Sequence, residues 1–169
     1  RSFRKVAAVQ KLCSDTKLVS IGDREADIYE LFLEAVKDPH GPKLLVRSAK
    51  SRQRKVDQEH LWSFMSNLKI AGSVKVQIPG NKEYKAREAI LDIRFSGVVL
   101  TPPKDTDYLS IKVWAVYALE SEPVDGQPQI EWMLLTTEAV NNLDDAKQRI
   151  EWYSGRWGIE VYHRTLKTG

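Results

Sequence analysis

The chain has 169 residues, of which 42% are hydrophobic and 29% are charged, and this composition is that of a folded globular domain. It excludes an intrinsically disordered chain, and no apolar run approaches the roughly 20 residues that a membrane-spanning helix needs. The formal net charge of +3 is too small to indicate a partner by itself. A single cysteine, Cys13, excludes an internal disulfide framework, favours a cytoplasmic protein and is predicted to be buried in its apolar surroundings.

The first fifty residues predict an α/β unit. After a helix over Phe3–Cys13, a short apolar strand is expected at Lys17–Gly22, and helical spacing of apolar residues predicts a helix over Arg24–Lys37. A cluster of Pro, Gly and His ends that helix, and Lys43–Arg47 reads as a second buried strand. Two strands joined by a helix form a parallel βαβ unit, which indicates an α/β fold.

The middle of the chain predicts antiparallel strands. Apart from a short helix over His60–Leu68, it contains β-rich runs separated by Gly and Pro, at Gly72–Ile78, Ala86–Leu100, Tyr108–Leu119 and Ile130–Val140. We interpret residues 51–128 as a β-rich insertion subdomain in a core formed by residues 1–50 and 129–169. A long helix from Leu143 to about Lys167 closes the chain, because no proline interrupts it and apolar residues recur at helical spacing.

Basic residues are concentrated in one segment. From Pro42 to Lys55 the chain has no acidic residue, and the next acid is Asp57. Such a run can follow a phosphate backbone, since each neutralised phosphate releases counterions. A solvated basic loop is an equally good interpretation of the charge alone. The cations of this segment are Lys43, Arg47, Lys50, Arg52, Arg54 and Lys55.

Asp23 directly follows the first predicted strand. The carboxyl ends of strands in α/β sheets are where such folds place ligands and catalytic groups. The alternative is that Asp23 only caps the following helix, because Asp accepts hydrogen bonds from free N–H groups at a helix start. Glu25 and Asp27, within the predicted helix, are expected to be surface charges.

The final helix carries a second group of polar residues. Tyr153, Arg156, Glu160 and Lys167 fall within an arc of roughly 60° at about 100° per residue, so they share one face of the helix. The alternative is an exposed charged face supported by the Arg156 and Glu160 pair. Asp23 and Glu160 together could hold divalent cations about 3.5 to 4 Å apart, as in metal-dependent phosphoryl transfer. Mg²⁺ suits such a site because it prefers hard oxygen ligands.

Two motifs resemble those of a known enzyme family. The run from Asp23 to Asp27 (DREAD) and the spacing Tyr153-x2-Arg156-x3-Glu160-x6-Lys167 resemble the DDE transposases with a Y-R-E-K signature, a group of bacterial insertion-sequence and composite-transposon enzymes. The resemblance implies a ribonuclease-H-like fold in which Asp23 is the second catalytic aspartate and Glu160 the catalytic glutamate. Both would hold Mg²⁺ or Mn²⁺. The first aspartate of the family belongs to an earlier strand that this sequence lacks, so this fragment alone is expected to be inactive.

The resemblance also implies roles for residues that contact DNA. Tyr153, Arg156 and Lys167 would bind phosphates, as would Arg24 and Arg47. Trp132, in the run EWMLLT, is similar to a tryptophan on which a flipped base stacks during hairpin formation, and the alternative is a core tryptophan on a strand.

The expected activity is cut-and-paste transposition. The intact protein would cleave double-stranded DNA at transposon ends and join the freed 3′ hydroxyl to target DNA, as a homodimer in the synaptic complex. It would work in the bacterial cytoplasm, at the nucleoid and away from membranes. Two other classes stay open, a nuclease of the same fold and a non-catalytic DNA-binding or inhibitory remnant.

Overall fold

The computed structural model describes residues 2–168, with side chains described for residues 3–156. Short 3-10 turns cover Arg24–Ala26 and Lys50–Arg52. The helices are α1 (Ser2–Leu12), α2 (Tyr29–Lys37), α3 (Leu61–Asn67) and α4 (Leu143–Thr168). The strands are β1 (Val19–Gly22), β2 (Lys43–Arg47), β3 (Lys55–Val56), β4 (Glu59–His60), β5 (Gly72–Ile78), β6 (Arg87–Leu100), β7 (Ile111–Glu120) and β8 (Glu131–Thr136).

Within the described residues the strands form one mixed sheet of eight strands. Its order is β1-β2-β8-β7-β6-β3-β4, and β5 pairs with β6 on the side away from β7. β1 and β2 are parallel, and the other pairs are antiparallel. The predicted α/β class and the parallel βαβ unit are therefore confirmed. The architecture is consistent with the ribonuclease-H-like fold that the resemblance implies.

Side chains on both faces of the sheet are buried, which explains the continuous apolar runs of β2 and β8. Leu44 and Val46 face a cluster that includes Phe32 of α2 and Met65 of α3. Leu45 of β2 faces the opposite cluster, which contains Ala146, Ile150 and Tyr153 of α4. None of the described helices has the length and hydropathy needed to cross a membrane.

The structure departs from the sequence predictions most at three points, while other element ends shift by one to three residues. The helix expected over Arg24–Lys37 is split, because residues 27 and 28 leave helical geometry after the 3-10 turn and α2 begins at Tyr29. The strand expected over Ile130–Val140 ends at Thr136. Cys13 is exposed rather than buried, because α1 ends at Leu12 and the chain turns towards solvent.

The segment 51–128 has the β-rich character that the sequence predicted. It contributes α3 and β3 to β7. These strands belong to the same sheet as β1, β2 and β8, since β7 pairs with β8 over six residue pairs. The division of the chain into a core and an insertion subdomain stays a prediction.

Asp27 is buried, which corrects the expectation that it is a surface charge. Its side chain is 0% exposed and forms an ion pair with Arg54, whose side chain is 7% exposed. Oδ1 of Asp27 accepts hydrogen bonds from Nε and Nη2 of Arg54 at 3.0 and 2.8 Å. Oδ2 accepts from the Ser48 hydroxyl and the Ala49 N–H, each at 2.9 Å. The carboxylate thus joins the turn after β1 to the loop after β2.

We predict that breaking this ion pair destabilises the fold strongly. Asp27→Asn or Arg54→Met should each lower the free energy of unfolding by about 3–5 kcal/mol, because either leaves one buried charge without its partner. Urea denaturation of the purified chain measures this change.

Glu25→Gln is the matched control. Glu25 is an exposed acid two residues away, and its substitution should change the free energy of unfolding by at most about 0.5 kcal/mol. Equal effects of Asp27→Asn and Glu25→Gln would show that the buried pair contributes no specific stability.

Candidate active site

Asp23 lies at the carboxyl end of β1, beside the end of β2. β1 and β2 are parallel and pair Gly22 with Val46, so Asp23, directly after β1, and Arg47, the last residue of β2, lie at the same edge of the sheet. This is the edge at which α/β sheets place ligands and catalytic groups. The Asp23 side chain is 41% exposed, so its carboxylate is accessible from solvent.

The sharp turn after β1 fixes the direction of the Asp23 carboxylate. Oδ1 of Asp23 accepts a hydrogen bond from the Arg24 N–H at 2.8 Å and so caps the 3-10 turn. A Cβ on Gly22 would lie 2.5 Å from the Cβ of Ala26, closer than side-chain carbons approach. Glycine at position 22 therefore allows the turn to fold back against the strand.

The final helix brings two residues of its predicted polar face to Asp23. The Tyr153 hydroxyl donates to Oδ1 of Asp23 at 3.3 Å, and Nη1 of Arg156 lies 3.1 Å from Oδ2. Asp23 thus caps the 3-10 turn and also contacts α4. Capping alone does not explain why an aspartate stands at this position. Arg47, from the end of β2, lies close enough to Tyr153 for its charge to lower the pKa of the phenol, and its Nη2 donates to the Glu131 carbonyl at 3.2 Å. These four side chains form a cluster that we call the Asp23 cluster.

Positive charge keeps the Asp23 carboxylate ionised. Burial raises the pKa of Asp23, but hydrogen bonds from the Arg24 N–H and from Arg156 lower it, as do the charges of Arg156 and Arg47. The net result is a pKa below the usual value of 3.8. An ionised carboxylate at neutral pH is the form that a divalent cation requires.

Tyr153 has its ring in the core and its hydroxyl in the Asp23 cluster. The residue is 2% exposed, and its ring meets Trp132 edge-on at a centroid distance of 5.1 Å. Burial raises the pKa of Tyr153, and so does the charge of Asp23, although Arg47 and Arg156 lower it. The phenol therefore stays protonated at neutral pH and is a hydrogen-bond donor.

Trp132 is buried, which favours the core interpretation over base stacking. It is 2% exposed and belongs to the core cluster between the sheet and α4. Its packing against Tyr153 supports the side chain that contacts Asp23. The structure thus corresponds to the core interpretation of this tryptophan, because the ring exposes no face on which a base could stack.

The other two residues of the final-helix motif lie outside the described side chains. Glu160 and Lys167 are within α4, which extends to Thr168, but only the helix backbone is described there. Glu160 is four residues beyond Arg156, which corresponds to about one helical turn and a rotation of roughly 40°. Its approach to Asp23 stays a prediction.

Asp23 is a suitable but incomplete metal ligand. Among the described side chains, no group of three or more His, Cys, Asp or Glu residues could enclose a metal ion. Asp23 supplies hard oxygen atoms, which suit Mg²⁺ and Mn²⁺. Asp27 cannot contribute, because both its oxygens are bound to Arg54, Ser48 and Ala49. A metal at this edge therefore requires Glu160 or another acid outside the described side chains.

A cavity of about 280 Å³ adjoins the Asp23 cluster, and the sequence did not single out its two large side chains from other segments, Trp62 and Glu131. Trp62 comes from α3 and Glu131 from the start of β8. Alternation along β8 indicates that Glu131 and Trp132 point to opposite faces, but no sequence signal places Trp62 beside Arg47. Arg24, Arg47, Lys50, Trp62 and Glu131 line the cavity together with Ser48, Ala49 and Ser51.

No protein-family model matches the chain. The likeness to DDE transposases rests on the two short motifs of the sequence. In the structure, residues of the two motifs are in contact at Asp23, through Tyr153 and Arg156.

We predict that Arg156 holds down the pKa of Asp23. In a ¹³C NMR titration the Asp23 carboxyl should have its midpoint below 3.8, and Arg156→Gln should move that midpoint upwards. Because the folded-state pKa is depressed, the stabilisation from ionised Asp23 is fully present above about pH 4 and is lost as pH falls through the folded pKa.

Arg52→Gln provides the control titration. Arg52 is exposed and is not among the groups that shift Asp23, so its removal should leave the midpoint unchanged. An equal midpoint in the native chain and in Arg156→Gln would mean that the ion pair does not form in solution.

Proposed function

We propose that the chain is part of the catalytic core of a DNA transposase, which cleaves DNA at transposon ends and joins the freed strand to target DNA. The observation that supports this most is the contact of Tyr153 and Arg156 with Asp23. Asp23 and Tyr153, one from each sequence motif, are 130 residues apart in the chain. The fold brings them into contact at the carboxyl edge of the parallel strands, where α/β sheets bind ligands.

In this proposal Asp23 and Glu160 hold Mg²⁺ or Mn²⁺. The bound ion supplies Lewis acidity and charge neutralisation at the reacting phosphodiester. Asp23 suits this role because it is ionised and partly exposed. A further aspartate from an earlier strand, as the resemblance implies, completes the carboxylate set.

The cations of the Asp23 cluster bind the phosphodiester. Arg156 and Arg47 are partly exposed, and the charge of each lowers the pKa of Tyr153, so both lie near its hydroxyl. Guanidinium groups and a phenol hydroxyl are suited to phosphate oxygens, because each donates hydrogen bonds and the arginines add charge. Arg24 extends this basic surface towards solvent, and Lys167 extends it along α4 in our proposal.

On each strand that is joined to target DNA, the reaction consists of two phosphoryl transfers. A water oxygen attacks a phosphorus at the transposon end, the bond from phosphorus to the 3′ oxygen breaks, and that oxygen takes up a proton. The freed 3′ hydroxyl then attacks a phosphodiester of target DNA and displaces another 3′ oxygen. Neither step needs a covalent bond to the protein, so the role of the chain is positioning and electrostatic stabilisation.

The partners in this proposal are double-stranded DNA and a second subunit. The DNA comprises the transposon ends and the target, and two subunits pair two ends in a synaptic complex. Base stacking on Trp132 is not part of the proposal, because the ring is buried.

The carboxylate assignment predicts a specific loss of activity. In a protein that carries this chain together with the preceding aspartate, Glu160→Gln should lower Mg²⁺-dependent cleavage of the DNA ends flanking its gene by roughly 10²- to 10⁴-fold, since charge stabilisation by a metal contributes several kcal/mol. DNA binding should stay within about threefold, because no phosphate contact is removed. Gel assays of cleaved and joined products measure the first, and fluorescence anisotropy the second.

Glu151→Gln is the matched control on the same helix. Glu151 is exposed and lies nine residues before Glu160, which places it on the opposite face at about 100° per residue. Its substitution should leave cleavage unchanged. Cleavage by Glu160→Gln at the rate of the Glu151→Gln variant would refute the catalytic assignment. Nicked products without joined products would instead indicate a nuclease.

A further inference from the structure

The cavity beside Asp23 has an excess of positive charge. Three of its lining side chains, Arg24, Arg47 and Lys50, are cations, and one, Glu131, is an acid. Lys50 has a side-chain exposure of 63% and Arg47 is half-buried, so both cations reach solvent from the cavity wall. An anion that enters the cavity therefore meets a net positive surface.

Glu131 neutralises part of this surface through Lys50. Nζ of Lys50 lies 2.8 Å from Oε2 of Glu131, and it also lies 4.7 Å from the centre of the Trp62 ring. Oε1 of Glu131 accepts a hydrogen bond from the Tyr117 hydroxyl at 2.9 Å. Burial and this hydrogen bond raise the pKa of Tyr117 to about 12, so the phenol remains a donor. The hydrogen bond from Tyr117 thereby holds the Glu131 carboxylate in place.

The Lys50 and Glu131 pair can open without disturbing the fold. Its side chains are 63% and 30% exposed, and ion pairs with this exposure contribute little to stability. The position of Glu131 depends on β8 and on Tyr117 rather than on Lys50. Lys50 lies at the start of a short 3-10 turn, and its exposed side chain already lines the cavity.

We propose that this cavity binds a phosphodiester of the DNA strand and that Glu131 competes with it for Lys50. In the absence of DNA, Lys50 pairs with Glu131. When DNA is present, Lys50 leaves Glu131 and pairs with the phosphate, together with Arg24 and Arg47. Glu131 thus lowers the affinity of the Asp23 edge for DNA. This inference rests on the proposed function, because it takes DNA as the ligand.

The test is the DNA affinity of the Glu131→Gln chain. Fluorescence anisotropy with a labelled duplex oligonucleotide, without divalent metal and at several salt concentrations, should show binding roughly three- to tenfold tighter than that of the native chain. The salt dependence should steepen by about one counterion, since one more lysine is available for phosphate. Gln keeps a carbonyl oxygen that accepts from Tyr117, so the thermal unfolding midpoint should stay unchanged.

Glu88→Gln is the matched control. Glu88 forms an exposed ion pair with Lys75 at 3.2 Å on β5 and β6 and does not line the cavity. Its substitution removes the same charge from the chain, so it should alter DNA affinity by less than about twofold. Equal gains from Glu88→Gln and Glu131→Gln would overturn the inference, because net charge alone would then explain the effect.

A double variant tests the part that Lys50 plays. In the Lys50→Met background, Glu131→Gln should no longer tighten binding, because the cation that it releases is absent. A gain that persists undiminished there would overturn the exchange. Inorganic phosphate, added at constant ionic strength, should not displace the oligonucleotide, and displacement at low concentration would assign the cavity to free phosphate.

These outcomes are separate from those of the cleavage experiment. A Glu131-dependent gain that needs Lys50, in a protein that does not cleave DNA, would support this inference and refute the proposed function. Cleavage by the longer protein, with no effect of Glu131→Gln on DNA affinity, would support the proposed function and refute this inference.

Discussion

The geometry of the Asp23 edge depends on the buried carboxylate of Asp27. Its hydrogen bonds to Ser48 and Ala49 join the turn that carries Asp23 to the loop after β2, and its ion pair adds Arg54 from the next segment. Removing two charges from water costs several kcal/mol for each ion, while each hydrogen bond to a charged group returns about 1.5–3 kcal/mol. Four hydrogen bonds to this carboxylate therefore roughly offset the desolvation. The main result of the network is fixed geometry rather than a large gain in stability.

Charge at this edge is arranged in two layers. Inside, Asp27 and Arg54 neutralise each other and are inaccessible. Nearer the surface, Arg156 forms an ion pair with Asp23, and Lys50 forms an ion pair with Glu131. Both pairs are partly exposed. Solvent screens the outer pairs, so they exchange partners at little cost, whereas the inner pair does not. In the proposed DNA-binding role, this division lets the outer cations turn to phosphate while the backbone stays in place.

Local sequence patterns predicted the parallel β1 and β2 unit, because both strands are apolar runs with clear turn signals around them. They also placed Tyr153 and Arg156 on one face of the final helix, since helical spacing is a local property. They did not distinguish Asp27 from Glu25, which are two acids of one short motif. Asp27 is bound by Ser48, Ala49 and Arg54, which lie 21 to 27 residues further along the chain, and no local pattern indicates these contacts. The order of the sheet, with β8 beside β2, depends on pairings of this long-range kind and was not predictable.

Tyr153 packs in the core through its ring and contacts Asp23 through its hydroxyl. Its ring needs the apolar contact with Trp132, and its hydroxyl needs Asp23, so the residue at this position must be both aromatic and a donor. A phenylalanine would pack in the same place but would leave the carboxylate without this hydrogen bond. A shorter hydroxyl residue would not reach Asp23 from the core. Packing of Ile150 and Tyr153 in the core holds α4 over the sheet, and this places Arg156, about one turn beyond Tyr153, at Asp23.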